Sequence, residues 1–396
     1  MKKYNHFIAS ILCILLVSCE NYGDYSNIKI FPDGTDPDNT EGTRDPYLQP
    51  FSSYSIWNMP IGSNAKYVDA QLEVNGNFSV RAEEEYIILT PEEPLLPVYV
   101  SNAAWNTSDY SDRCGHTDRI SFYAPIPKDL RYDFTDQKNG NALWWANACV
   151  SILKSDGVTL IESQPFAKCS MDEATTGPFG FSEVNIYGDG IKGSHGGSGL
   201  SAIGGTLRIH ELTPTSGPIP HALKIDVYAT RNLYYDVKTK KGYRWPAVVH
   251  DNSATDEING YGKKRTTPVC EECKMGALLA LPNTVQIEDL KLKTKPAQII
   301  AQAFQDYGAY IVDDTAMDNV FCISIENSPN GRFLDEFKKN WGFDFQTSDT
   351  GSSKDWEDDL KIIFQNLHVI DNNAEGNVGG GGDPRKPLAD KLKRMD

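Results

Sequence analysis

The sequence predicts a mainly β chain: a single large β-sandwich, jelly-roll-like, over residues 46–382, with a few peripheral helices. Three observations carry this expectation. Short runs of alternating apolar and polar residues recur, at 86–90, 98–100, 120–124, 158–161, 182–187, 206–212 and 222–229. Asn139-Gly140 and Asp156-Gly157 are dipeptides of tight hairpin turns. Helical periodicity comes only late in the chain. Short strands separated by turn signals suit a sandwich or barrel, and 40% hydrophobic with 11% aromatic content is ample for a core.

At the N-terminus, Lys2 and Lys3 precede an apolar run from Ile8 to Val17 that is too short to span a bilayer. Leu16-Val17-Ser18-Cys19 reads as a lipobox, in preference to an ordinary signal peptide with a chance cysteine. Residues 1–19 therefore predict a lipoprotein signal peptide, with lipid on Cys19 anchoring the chain to a bacterial outer membrane. Glu20 and Asp24 leave both surface display and a periplasmic orientation open. Residues 20–45 are poor in large apolar side chains and read as a flexible tether. Asp36, Asp38 and Asn39 lack the glycine and distal glutamate of a calcium loop, so linker is the better reading.

The formal charge of −16 argues against a nucleic-acid partner, whose phosphates require basic surface. It also disfavours an anionic polymer unless a local patch, such as Lys238, Lys240 and Lys241 or Lys263, Lys264 and Arg265, overrides the field; solvated loops are the simpler reading of both. Beyond Cys13 and Cys19, six cysteines remain: Cys114, Cys149, Cys169, Cys270, Cys273 and Cys322. An even count in an exported chain suits disulfides, with the pairing left open. Cys270-Glu-Glu-Cys273 has zinc-like spacing but no second pair nearby, so a small loop disulfide is preferred and no metal site is assigned.

Further along, Trp57 in Trp57-Asn-Met-Pro-Ile61 is expected to anchor the core where the folded domain opens. Pro296 to Tyr307 reads as a helix, with proline in its first turn and Gly308 as its C-cap. Ala309 to Val312 follows as a strand ending at Asp313-Asp314, and 333–341 and 356–364 as short helices. Gly379 to Gly382 closes the domain, leaving 383–396 as a loose tail.

The densest stretch runs from Gly188 to Glu211 and continues through His221 and Lys224. Gly188-Asp-Gly-Ile-Lys-Gly193 matches G-x-G-x-x-G, but more glycine rather than a helix follows, which argues against a dinucleotide site. Ser198 lacks the glycine two places on that a nucleophile elbow requires, and no Gly-Lys-Ser/Thr marks a phosphate loop. His195, His221 and His210 remain as candidate bases or ligands. Alternation would place His221, Leu223 and Ile225 on one strand face and Ala222, Lys224 and Asp226 on the other. Arg208 and Glu211 fall on opposite sides if their strand is regular. Each lone histidine is more often structural than catalytic; three beside Arg208 and Lys224 shift the balance towards a site.

Several ordered motifs resemble those of a family of secreted and lipoprotein bacterial proteins with no established chemistry. They are Trp57 to Ile61, Ser198-Gly-Leu200, Gly205-Thr-Leu-Arg208-Ile-His-Glu211, Ile219-Pro-His-Ala-Leu223, Tyr243-Arg-Trp-Pro246 and Tyr307 to Asp314. The resemblance covers most of the chain after the tether and implies one domain, but no reaction.

The residue types themselves predict action on an extracellular polysaccharide or oligosaccharide, as a carbohydrate-active enzyme. In a lyase, His195 or His221 would be the base and Arg208 or Lys224 the enolate stabiliser, with an unidentified tyrosine as acid. In a glycoside hydrolase, two carboxyls among Glu211, Asp189, Asp313 and Asp314 would flank the bond. The predicted catalytic set is His195, His221, Arg208, Glu211 and Asp313, and the predicted substrate contacts are Lys224, Ser198, Trp144, Trp145 and Trp245. No cofactor is required; calcium at Asp313-Asp314 is the one ion the pattern admits, turn capping being the simpler role. The alternative is a non-catalytic surface glycan-binding protein that stacks sugars on Trp144, Trp145, Trp105 and Trp245. A purely structural lipoprotein is the third reading, which no feature favours.

Overall fold

A computed structural model describes residues 42–74, 76–103, 113–130 and 147–395. The chain is mainly β, with 28% strand, 15% helix and two sheets. The strands are β1 (Tyr67–Asp69), β2 (Ser79–Ile88), β3 (Leu95–Ser101), β4 (His116–Pro125), β5 (Val150–Leu153), β6 (Thr159–Ser163), β7 (Phe166–Lys168), β8 (Ala174–Thr176), β9 (Ser182–Asn185), β10 (Leu223–Val227), β11 (Leu278–Ala280), β12 (Ala309–Asp314), β13 (Val320–Ser328), β14 (Gly331–Arg332) and β15 (His368–Ile370). The helices are α1 (Ala229–Asn232), α2 (Lys295–Asp306), α3 (Phe333–Trp341) and α4 (Lys354–Gln365). No described helix is long and apolar enough to cross a membrane.

The large sheet runs β1-β15-β11-β12-β10-β13-β2-β5-β6-β9, with β14 added to β13, and the small sheet runs β4-β3-β8-β7. The hairpin β5–β6 turns at Asp156-Gly157, as its dipeptide predicts. Pairings β10–β12, β13–β2 and β2–β5 are parallel. A jelly roll pairs its strands antiparallel, so the large sheet departs from that pattern at its centre.

Strand periodicity explains what each face of the large sheet buries. Val80 of β2, Leu223, Ile225 and Val227 of β10, and Phe321, Ile323 and Ile325 of β13 share one core with Ile300 and Phe304 of α2 and with Trp356 and Phe364 of α4. Towards the end of that face, Tyr86, Ile88, Val150 and Ile152 meet Val98, Phe122 and Phe166 of the small sheet. The alternate residues on the same strands are Glu83, Glu85, Lys224, Asp226, Cys322, Ser324 and Glu326, and all of them are buried. The glycine-rich segment covers this polar face: Leu207 bridges to Ile325, and Lys224 donates its backbone N–H to Gly205. Trp57, 1% exposed, fixes that cover by donating from Nε1 to the Gly190 carbonyl at 2.7 Å. A Cβ at Gly205, whose φ is +72°, would lie 2.5 Å from the Trp57 ring, so only glycine allows the approach.

Three expectations need correction. Residues 206–212 do not form a strand: His210 has φ 76°, and the Glu211 carboxylate accepts the Arg208 N–H at 2.7 Å, closing a turn. Arg208 and Glu211 are therefore turn partners rather than residues on opposite strand faces. The C-terminal segment is packed, not loose: Leu392 is 1% exposed and bridges to Arg44, which ties the end of the expected tether to the fold as well. The described residues hold one disulfide, Cys114–Cys169, while Cys149, Cys270, Cys273 and Cys322 are buried thiols rather than the expected loop bridge.

Candidate functional site

A cleft of about 840 Å³ opens where residues 193–197 pass the end of β12. Asp313 to Ala316, Val249 to Ser253, Phe179 to Ser182, Asn147 and Gln164 complete its wall. The volume is that of a small-molecule or oligomer subsite.

Glu162 of β6 holds the glycine-rich loop in place. Its carboxylate, fully buried, accepts Ser151 Oγ at 2.9 Å, Ser201 Oγ at 2.8 Å, the Ala202 N–H at 2.9 Å and the Ser194 N–H at 3.2 Å. Burial raises its pKa in spite of those donors. Gly197, at φ +60°, then passes so close to β12 that a Cβ would lie 2.6 Å from Asp313 Oδ1.

Held there, the His195 ring stands between two carboxylates, 1% exposed. Its Nε2 lies 2.9 Å from Glu85 Oε1 and its Nδ1 3.7 Å from Asp313 Oδ2, yet neither nitrogen is in hydrogen-bond geometry with a described residue. Glu85 Oε1 also accepts Lys224 Nζ at 2.9 Å. Burial alone would raise the Glu85 pKa; Lys224 and His195 outweigh it and the net shift is downward. Beside it, Glu83 accepts the Asn147 N–H at 2.9 Å and is held well above the usual range by burial, with Asp226 and Glu85 adding repulsion. Burial pushes Asp226 up to about 7. Two donor sets here could hold a cation, Glu85 with Cys149 and His195, and Glu83 with Asp226 and Cys322; within each, one donor atom per residue lies within 4.8 Å of the others.

The cleft wall itself carries three carboxyls. Asp313 accepts Asn147 Nδ2 at 2.8 Å and the Asp314 N–H at 2.8 Å, and its pKa lies well above the usual range because of burial, then of Asp251 and Asp226. Burial also pushes Asp314 up to about 6, although Ala229 and Ala316 donate their N–H groups to it. Asp251 accepts the Tyr261 hydroxyl at 2.6 Å and is raised by burial. His250 lies beside it, its ring among those of Tyr235, Tyr243 and Tyr261. Phe179 and Phe181 stand on the rim, 63% and 43% exposed.

Of the predicted site residues, the structure brings His195, Asp313 and Asp314 together at the cleft. The other described ones lie apart from its wall. His221 is buried with Nε2 3.0 Å from Glu211, and Arg208 Nε donates to Glu326 at 2.7 Å. Burial lowers the His221 pKa, but Glu211 more than offsets this and the net shift is upward. Lys224 faces Glu85 beneath the loop, and Ser198 is fully buried in the loop's own turn. Asp189 closes a turn by accepting the Ile191 N–H, and Trp245 packs, partly buried, against the core cluster that includes Trp57. Trp105, Trp144, Trp145, Cys19 and the Asn139-Gly140 turn lie outside the described residues.

Sequence reasoning missed Glu83, Glu85, Gln164, His250 and Asp251. Glu83 and Glu85 left only a weak signal: residues two apart share one strand face, but Ser79, Arg81 and Glu84 lie on the same strand and the run Glu83-Glu84-Glu85 reads as solvated. His250 and Asp251 lie in a loop with no such pattern. No family model, curated protein or solved structure matches the chain.

Proposed function

We propose that this protein hydrolyses glycosidic bonds in a neutral extracellular polysaccharide, as a lipoprotein held at a bacterial outer membrane through Cys19. The two packed sheets serve as a sandwich-like scaffold for the cleft. The observation that carries the reading is a cleft wall bearing Asp251, Asp313 and Asp314, with no lysine or arginine among its described residues. A uronate lyase needs a cation at the substrate carboxylate, and both predicted candidates, Arg208 and Lys224, are taken up in buried ion pairs. Hydrolysis of a neutral sugar needs only a proton donor and an ionised partner.

Asp313, the more strongly shifted of the two, supplies the proton to the leaving oxygen as the bond to the anomeric carbon breaks. Asp251, more open to the cleft, stays ionised and takes a proton from the water whose oxygen adds to the anomeric carbon, so that a new C–O bond replaces the broken one. Two interacting carboxyls titrate as a pair, which lets one keep its proton near neutral pH. Exposed Phe179 and Phe181 offer stacking faces for sugar rings.

The test is digestion of a panel of neutral and uronate polysaccharides by the full chain. New reducing ends without the ultraviolet absorbance of an unsaturated uronate are expected, lost by roughly 100-fold or more in Asp313→Asn and Asp251→Asn. Ends with that absorbance would make the protein a lyase, and a retained gel shift without new ends would leave a glycan-binding protein.

A further inference from the structure

Beneath the cleft lies a donor set that this hydrolysis does not use. Both ring nitrogens of His195 are buried and lack a hydrogen-bond partner among the described residues, as does Glu85 Oε2. Buried polar atoms without partners are rare and call for an explanation. Cys149 Sγ completes the group, so that a nitrogen, a sulfur and an oxygen converge from the glycine-rich loop, the residue before β5 and β2, all within 4.8 Å.

We propose that Glu85, Cys149 and His195 form a binding site for a thiophilic divalent cation of the zinc type. A mixed nitrogen, sulfur and carboxylate set suits zinc and is wrong for calcium or magnesium, which take oxygen donors. The surroundings match those of a metal-bound histidine. Nε2 lies 2.9 Å from Glu85 Oε1, and Nδ1 on the opposite side of the ring faces Asp313 Oδ2 at 3.7 Å, the place where a carboxyl group orients a ligating imidazole. Lys224 engages only Oε1 of Glu85, which leaves Oε2 for an ion. Gln164 Oε1 stands 2.9 Å from Cys149 Sγ and can fill a fourth position. Binding replaces the thiol proton of Cys149, which leaves to solvent. The ion would also offset the carboxylates crowded on this sheet face and pin the loop to the strands beneath it. The proposal shares Asp313 with the reaction above, but its test reads metal binding and not turnover.

The full chain, stripped with chelator, is titrated with Co²⁺ and then with Zn²⁺. One Co²⁺ per chain is expected, with a thiolate-to-metal charge-transfer band that Zn²⁺ abolishes. The band should disappear in Cys149→Ser and His195→Ala and persist in Cys322→Ser and Cys270→Ser. No band, a band that survives Cys149→Ser, or one lost in Cys270→Ser would overturn the site, the last by moving the ion to Cys270 and Cys273. Should Cys149→Ser fail to fold, X-ray absorption of the zinc-loaded wild type decides: one sulfur among nitrogen and oxygen neighbours supports the assignment, and two sulfurs or none overturns it.

Discussion

Lys224 Nζ lies 2.9 Å from Glu85 Oε1, and the two side chains are 0% and 1% exposed. This ion pair sits between the central sheet and the glycine-rich loop, whose Ser201 carbonyl also accepts from Lys224. Breaking a buried pair strands a charge, which costs about 3–5 kcal/mol. Lys224→Met should therefore lower unfolding free energy in urea by about that amount. Lys224→Met combined with Glu85→Leu should recover much of it, because no charge is then left unpaired.

Glu162→Gln leaves one acceptor oxygen where the carboxylate has two, so it cannot accept at once from Ser151 and Ser201, which share Oε1, and from Ala202 and Ser194, which share Oε2. A loss of roughly 2–3 kcal/mol is expected, the scale of hydrogen bonds to a charged group. Hydrogen exchange should quicken first over residues 193–203, since this carboxylate is what joins that loop to β6. Uniform quickening over the whole sheet would speak against that local role.

Stability should fall as pH rises from about 5 to about 8. Burial holds Asp314 at about 6 and Asp226 at about 7, both above their ordinary value of 3.8. The folded state thus binds these protons more tightly than the unfolded chain, so the contribution is full below the ordinary value and is lost as pH rises through the shifted ones. Glu85, shifted downward, acts in the opposite sense only at more acidic pH. Urea midpoints should decline across this window and flatten in Asp226→Asn, chiefly in its upper half; midpoints that rise with pH would refute the assignment.

Phe179→Ala should reduce kcat/KM on a polymeric substrate by about tenfold, ~1.4 kcal/mol, while changing stability by less than about 0.5 kcal/mol. The ring is 63% exposed on the cleft rim, so its removal opens no core cavity. Unchanged kinetics would take Phe179 out of the substrate path.

Local rules made much of the framework readable. Pro296 and Gly308 delimit α2, which spans Lys295–Asp306, and Asp156-Gly157 turns the β5–β6 hairpin. Alternation placed Leu223 and Ile225 opposite Lys224 and Asp226, as β10 has them. His195 and Asp313 were legible as candidates because glycine around one and a strand end before the other leave room for a ligand. The failures occur where distant segments intervene. Glu211 folds back on Arg208 and engages His221, which turns three apparent site residues into a buried network with Glu326.

The sequence by itself determined the mainly β content, the placement of the late helices and the need for glycine around His195, because propensity, turn chemistry and period-two burial act over a few residues. Only the tertiary structure decided which charges meet. The parallel register of β2 beside β13 sets Glu83 and Glu85 against Ser324 and Glu326, and β10 on the far side of β13 brings Lys224 and Asp226 to the same face. Glu85 and Lys224 are 139 residues apart in the chain, and the charge states of such partners follow from mutual distance and burial, neither of which a local pattern encodes.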